Sequence, residues 1–276
     1  SLFSCTERID IELDDTYTRL SVDAQITTDT TQHYVKLTKT ADYFSNQPAP
    51  AVSGAKVFIN EFTLTESDSI PGLYLTEPDV YGKIGKKYTL TIENVDIDDN
   101  GTKEVYTASS KINPIPPIDS IDIVFNDFSD ENQWWEVQLY AQDPPERNYY
   151  LFKIALNGEM LTDSIDEYEI QEDEMFNGNY VPGVSVQSIE KSGDTTDLKQ
   201  GDILTLVCNG ITQEYYKFII EFSNEINGQN PLFSGPPANV RTNISGGNGP
   251  VGFFRAYSIT SLNKKIKDPY EIVKTY

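Results

Sequence analysis

The sequence predicts a mainly β protein: an N-terminal Ig-like sandwich, then a larger antiparallel sheet or barrel with one covering helix. Three observations carry this. Apolar and polar residues alternate over many short runs, as half-buried strands require. Clusters of Gly, Pro, Asn and Asp separate the runs. Aromatic residues reach 12%, with 17 Tyr and 13 Phe in 276 residues, which suits strands and argues against a disordered acidic chain.

The first domain is read over residues 1–113. In 19–28, Leu20, Val22, Ala24 and Ile26 share one face. In 33–40, Val35 and Leu37 stand opposite Tyr34 and Lys36. The run 55–62 puts Val57 and Ile59 on one side, and 88–95 does the same with Tyr88, Leu90 and Ile92. The next run, 104–110, follows Asp98-Asp99-Asn100-Gly101. Asn100-Gly101 predicts a type I′ hairpin turn, because both residues tolerate positive φ. Period-2 runs at this spacing predict a sandwich.

The segment 111–117 carries Pro114, Pro116 and Pro117. Proline donates no ladder hydrogen bond, so the segment predicts a stiff boundary. The second domain is read over 118–276. Strands are expected at 121–125, 134–140, 149–156, 202–208 and 251–260. The acidic stretch 163–179 predicts an exposed loop or edge. Between 212 and 226, Tyr215, Phe218, Ile219, Phe222 and Ile226 recur at helical spacing. That is one apolar stripe, with Thr212 able to cap its start and Asn227-Gly228 its end. A loop rich in Gly, Pro and Asn fills 229–249.

Acidic residues outnumber basic ones 43 to 21, for a net charge of −22. Nucleic acid and anionic membranes are read by clustered Lys and Arg, so neither is an expected partner. The charge also favours solubility. No run approaches the ~18 apolar residues of a membrane helix. Ser1-Leu2-Phe3-Ser4-Cys5 instead has the pattern of a bacterial lipoprotein signal, which predicts cleavage before Cys5 and a lipid on Cys5. The competing reading is a disulfide from Cys5 to Cys208, the only other cysteine; an exported protein could keep it. Cys208 follows Leu204-Thr205-Leu206-Val207 and reads as a small buried apolar residue.

Motifs with chemistry are sparse. Asp96, Asp98 and Asn100 open a calcium-type loop, D-x-D-x-N-G, but the twelfth position is Thr107 and not a bidentate Glu. A solvated hairpin tip is the alternative. The acids of 166–174 read as a solvated face, or as a cation site or docking edge. Ser245-Gly246-Gly247-Asn248-Gly249 lacks the Lys-Ser/Thr ending of a phosphate loop. His33, the only histidine, would have to serve any histidine-dependent mechanism. Trp135 aligns with Val137 and Leu139 and should be core. Trp134 aligns with Glu136 and Gln138 and could stack on a sugar or serve as a protein hot spot; cover over a helix or a domain interface is the other reading. With Asn243 and Asn248 of the long loop, these three form the expected ligand or partner surface. No catalytic residue and no cofactor is expected.

The chain resembles a lipoprotein family of Bacteroides-type bacteria catalogued as a domain of unknown function, DUF4249. The resemblance starts at Cys5-Thr6-Glu7-Arg8-Ile9-Asp10-Ile11. It continues through Thr40-Ala41-Asp42-Tyr43-Phe44, Val52-Ser53-Gly54-Ala55-Lys56-Val57 and Pro71-Gly72-Leu73-Tyr74. Further matches are Pro116-Pro117-Ile118-Asp119-Ser120, Asp143-Pro144-Pro145-Glu146-Arg147-Asn148-Tyr149-Tyr150 and Asn177-Gly178. Residues 236–247 and Gly252-Phe253-Phe254-Arg255-Ala256-Tyr257-Ser258 close the set. Within the first domain, Gly54-Ala55-Lys56-Val57 with Gly72-Leu73-Tyr74 also resembles the carboxypeptidase-regulatory-like sandwich, which implies a structural module. The DUF4249 resemblance implies an outer-membrane lipoprotein encoded beside a TonB-dependent transporter, and carries over no catalytic residue. The expected function is that of a non-catalytic, cell-surface binding subunit for a nutrient or glycan. The alternatives are an adhesin or surface-assembly subunit, and a glycan-active enzyme using paired carboxylates.

Overall fold

The computed structural model describes residues 18–40, 48–129, 132–174, 176–191, 197–228 and 240–275. Cys5 with its surrounding motif, residues 41–44 and residues 236–239 lie outside the described residues, as does the side chain of Ile226. With 52% strand and 7% helix, the chain is mainly β as expected.

The first unit begins with β1 (Leu20–Thr27), β2 (Tyr34–Lys39), β3 (Lys56–Ile59), β4 (Phe62–Glu66), β5 (Leu73–Leu75), β6 (Lys87–Val95) and β7 (Glu104–Lys111). The predicted alternation is physical here. Leu20, Val22, Ala24, Ile26, Val35 and Leu37 are buried from one side, and Val57, Ile59, Leu90 and Ile92 from the other. Two expectations change. The run 55–62 is a hairpin and not one strand, because Asn60 takes a left-handed φ of 50° and turns the chain so that Ile59 faces Phe62. The predicted tight turn at Asn100-Gly101 is a longer loop. Positive φ falls on Asp99 and Gly101, and Val95 pairs with Glu104.

The second unit contributes β8 (Ser120–Ser129), β9 (Asn132–Gln142), β10 (Tyr149–Leu156), β11 (Glu159–Met160), β12 (Glu169–Glu172), β13 (Tyr180–Glu190) and β14 (Ile203–Ile211). Helix α1 (Gln213–Gly228) follows, then β15 (Ile244–Gly246), β16 (Val251–Lys265) and β17 (Val273–Thr275). Thr212 caps α1 as predicted, its Oγ1 accepting the Tyr215 amide at 3.2 Å. The sheet β13-β9-β8-β17 packs against β10, β14 and the end of β16. Trp135 is at the centre of that core, fully buried, with its Nε1 donating to the Pro269 carbonyl at 2.8 Å. The second unit is therefore an open sandwich, and no barrel closes.

Strand β16 joins the halves. From Val251 to Tyr257 it runs parallel to β1, with Ala24 beside Phe254. From Ser258 to Lys265 it runs antiparallel to β14. One continuous 13-stranded sheet results. Alternation along β16 sends Phe254 and Ala256 into the first core. It sends Phe253, Arg255 and Tyr257 to the opposite, outer face. β15 also pairs with β7 of the first unit. The proline segment is fastened too: the Asn113 carbonyl accepts Ser258 Oγ at 2.6 Å, and Asn113 Nδ2 donates to the Ile211 carbonyl at 3.3 Å.

Candidate functional site

The outer face of the continuous sheet carries a groove where the two units meet. β16 supplies Phe253, Arg255 and Tyr257 to it. β1 supplies Asp23 and Gln25, and register places them beside Phe253 and Arg255. β2 adds Tyr34, β14 adds Asn209, and β10 adds Lys153. Two elements wall the groove. One is α1, whose stripe of Tyr215, Phe218 and Phe222 lies over Phe253. The other is the segment 163–168, which brings Asp163, Ile165 and Tyr168. Burying the ring of Phe218 and the side chain of Ile219 contributes about 1.5–3 kcal/mol each, so the stripe holds the helix in place.

The groove has a volume of about 390 Å³ on its Arg255 side. A narrow space of about 10 Å³, lined by Lys153, Tyr168, Asn209, Tyr215, Arg255 and Tyr257, leads on. Beyond it lies a further hollow of about 320 Å³ beside Lys153, Asn209 and Tyr257. The larger volumes fall in the range of small-ligand sites.

Arg255 is the organising group. Its Nη1 meets Asp23 Oδ1 at 2.5 Å, and its Nη2 donates to Tyr34 Oη at 2.6 Å and to Gln25 Oε1 at 3.2 Å. The Tyr257 hydroxyl donates to the same Gln25 oxygen at 2.9 Å. Burial opposes the Arg255 charge, but Tyr215, Asp23, Tyr34 and Tyr257 outweigh it and hold its pKa above the ordinary value. Burial pushes the Tyr34 hydroxyl up to about 12, against the pull of Arg255. Lys153 sits in the same neighbourhood. Its Nζ donates to Tyr168 Oη at 2.9 Å and lies 4.0 Å from the centre of that ring. Burial, and then the charge of Arg255, push Lys153 down to about 8.

A second cavity, of about 50 Å³, lies between the two sheets of the second unit. Apolar side chains and Cys208 line it, and burial pushes the Cys208 thiol up. At its edge the Tyr150 hydroxyl donates to Asp143 Oδ1 at 2.6 Å, and the Gly178 amide donates to Oδ2 at 3.2 Å. Asp173 Oδ2 accepts the Asn148 amide at 2.7 Å. Burial raises the Asp143 pKa; Tyr150 and Gly178 lower it, and Asp173 raises it again. The motif Asp143 to Tyr150 and the pair Asn177-Gly178 thus form one knot of loops. The space beside it is large enough to admit water.

The sequence-predicted site residues lie elsewhere. Trp134, Glu136 and Gln138 share the outer face of β9, in the other sheet, and are half-buried. Gln138 donates to Glu136 at 3.3 Å, and Lys274 of β17 reaches the same carboxylate at 3.3 Å. Asn243 stitches backbone: its Nδ2 donates to the Phe254 carbonyl and its Oδ1 accepts the Phe254 amide. Asn248 is exposed in the turn over Tyr106. Asp96, Asp98 and Asn100 accept amides of their own loop, at Gly101 (3.0 Å), Asn100 (3.3 Å) and Thr102 (2.7 Å). Among the described residues no cluster of three or more His, Cys, Asp or Glu could hold a metal. Of the acidic run, Glu172 pairs with Arg147 at 2.6 Å and Asp173 is buried. His33 is fully buried, its Nε2 3.1 Å from the Val80 carbonyl, and burial lowers its pKa.

Sequence reasoning missed Arg255 and Lys153. Lys153 is the one charge within Tyr149–Leu156, and Arg255 follows directly on Phe253-Phe254. A charge in such a strand demands compensation, and that was the available signal.

Fold and groove together define a two-sandwich, mainly β protein with a preformed, ring-lined cleft at its joint. The family model described as Domain of unknown function (DUF4249) matches residues 6–263, and the chain belongs to that family. No curated protein matches the chain.

Proposed function

We propose that the protein is a non-catalytic surface lipoprotein, an accessory binding subunit of a TonB-dependent outer-membrane uptake system, with its ligand seated in the joint groove. The observation that carries this reading is the groove itself. It is concave, walled by the rings of Tyr34, Tyr168, Tyr215 and Phe222, with convergent polar groups on its floor. Aromatic walls with a few placed polar groups suit small-ligand and sugar recognition. The continuous strand β16 holds the walls in register, so little ordering cost accompanies binding.

Attachment to the outer membrane rests on the Cys5 pattern. No helix among the described residues is long and apolar enough to cross a membrane. The lipid would be the anchor, and Cys5→Ala would release the protein from membranes.

Affinity purification of the tagged, full-length protein from native outer membranes tests the uptake role. Stoichiometric recovery of a large β-barrel transporter supports it. Recovery of the protein alone, or only with copies of itself, removes it and favours the adhesin or glycan-enzyme alternatives.

A further inference from the structure

We propose that the joint groove is a receptor for an anionic ligand, a carboxylate or a phosphate ester, with Arg255 and Lys153 as its counter-charges and the surrounding tyrosine rings as its walls. The proposal rests on the binding reading above and adds the chemical class of what is bound.

The chain carries a net charge of −22, yet two cations share one narrow space on the outer face of the sheet. Arg255 has Asp23 as its ion-pair partner. The ion pairs among the described residues do not include Lys153. Its ammonium is held by the Tyr168 hydroxyl and ring. A half-buried ammonium beside a guanidinium is destabilising. That space holds no more than a water, so the oxyanion would sit at its mouth, in the groove beside Arg255 and the Tyr168 hydroxyl to which Lys153 donates, and would offset both desolvation and repulsion.

Charged and titratable groups surround Lys153 from several elements. β1 brings Asp23, which Arg255 engages. The loop after β1 brings Asp29, on the far hollow. The segment 163–168 brings Asp163 and Tyr168, β2 brings Tyr34, α1 brings Tyr215, and β16 brings Arg255 and Tyr257. Asp163 and Asp23 favour the charged lysine, but burial and Arg255 prevail and hold its pKa down. The tyrosines hold their protons more tightly than usual, so they remain neutral donors at neutral pH. The groove beyond Arg255 is wide enough for the body of a ligand, with Phe218 and Phe222 on its side.

The test reads the lysine directly. The full chain is labelled with ¹³C-lysine, and the Lys153 resonance, assigned by its loss in Lys153→Met, is titrated in chloride, inorganic phosphate and acetate. In chloride the midpoint should lie near 8. Phosphate or acetate should raise it, since a bound anion favours the ammonium, and other lysines should not respond. The stronger of the two responses tells phosphoryl from carboxylate chemistry. An unmoved Lys153 midpoint in both anions overturns the proposal. Lys153→Met keeps the alkyl packing, so its thermal midpoint should equal or exceed that of the parent. A marked fall would mean that Lys153 is a structural group and would also overturn the proposal. Purification from membranes separates the two readings. Recovery of a transporter beside an unresponsive Lys153 discards the anion and keeps the uptake role. A responsive Lys153 without any transporter does the reverse.

Discussion

Asn243 and Phe254 are bound at both ends of one backbone unit: Asn243 Oδ1 accepts the Phe254 amide at 2.9 Å, and Asn243 Nδ2 donates to the Phe254 carbonyl at 2.7 Å. The same Nδ2 reaches the Ser109 carbonyl at 3.3 Å. The Asn243 side chain therefore bridges the seam between β16 and β7, where Ser110 Oγ also accepts the Ala256 amide at 3.0 Å. Asn243→Ala should leave these buried groups without partners and cost about 1–3 kcal/mol. Urea unfolding checks this. A midpoint unchanged from the parent would mean that the seam is held by something else.

Gly252 sets how closely β16 approaches β1. It has φ of 92°, and a Cβ there would lie 2.0 Å from the Val22 carbonyl oxygen. Backbone cannot yield as a flexible side chain could. Gly252→Ala should therefore destabilise by about 3 kcal/mol or more, and should weaken the groove by displacing Phe253 and Arg255. Thermal unfolding gives the first effect. A variant as stable as the parent would contradict the parallel pairing itself.

Lys153 has a pKa lowered in the folded protein to about 8. The unfolded chain therefore holds a proton that the folded chain releases between about pH 8 and the ordinary lysine value of 10.5. Where the unfolded state binds more protons, stability rises with pH. The lysine thus weakens the fold most below pH 8, and that penalty fades as pH climbs. Comparing urea midpoints of the parent and Lys153→Met at pH 7 and pH 9.5 should show the gain from the substitution shrinking at the higher pH. An equal gain at both would place Lys153 in water.

Tyr150 gives its hydroxyl hydrogen to Asp143, which is only 4% exposed. Tyr150→Phe should raise the Asp143 pKa further and cost about 1–3 kcal/mol at neutral pH, because the buried carboxylate loses a donor. The check is the unfolding midpoint at pH 7, which should fall while the circular dichroism spectrum stays β-rich. A midpoint that stays put would show the loop knot to be held without this bond.

Local pattern made much of the fold legible. Leu20, Val22, Ala24 and Ile26 announce β1 by alternation, and Tyr215, Phe218, Ile219 and Phe222 announce α1 by helical spacing. What local pattern lacks is partnership. Nothing in residues 251–257 says that they lie parallel to 21–27, because that pairing is set by packing across the whole chain. The hairpin at Asn60 escaped for a related reason: alternation runs through a two-residue turn without a break. The groove was hidden by the same gap. Arg255 and Lys153 come together only through the order β10-β14-β16-β1, which no single stretch contains. Trp134, by contrast, drew notice as a large ring in an alternating strand, and its face is bounded by Glu136 and Lys274 on a different sheet.

One strand, β16, unites both halves and holds the groove preformed. Hydrogen exchange on the full-length protein reads this ladder amide by amide. Amides of residues 251–257 and 20–27 should be protected as strongly as those of 258–265, since all belong to one ladder. Rapid exchange in 251–257 beside slow exchange in 258–265 would make the joint a linker, and the groove would then have no fixed walls.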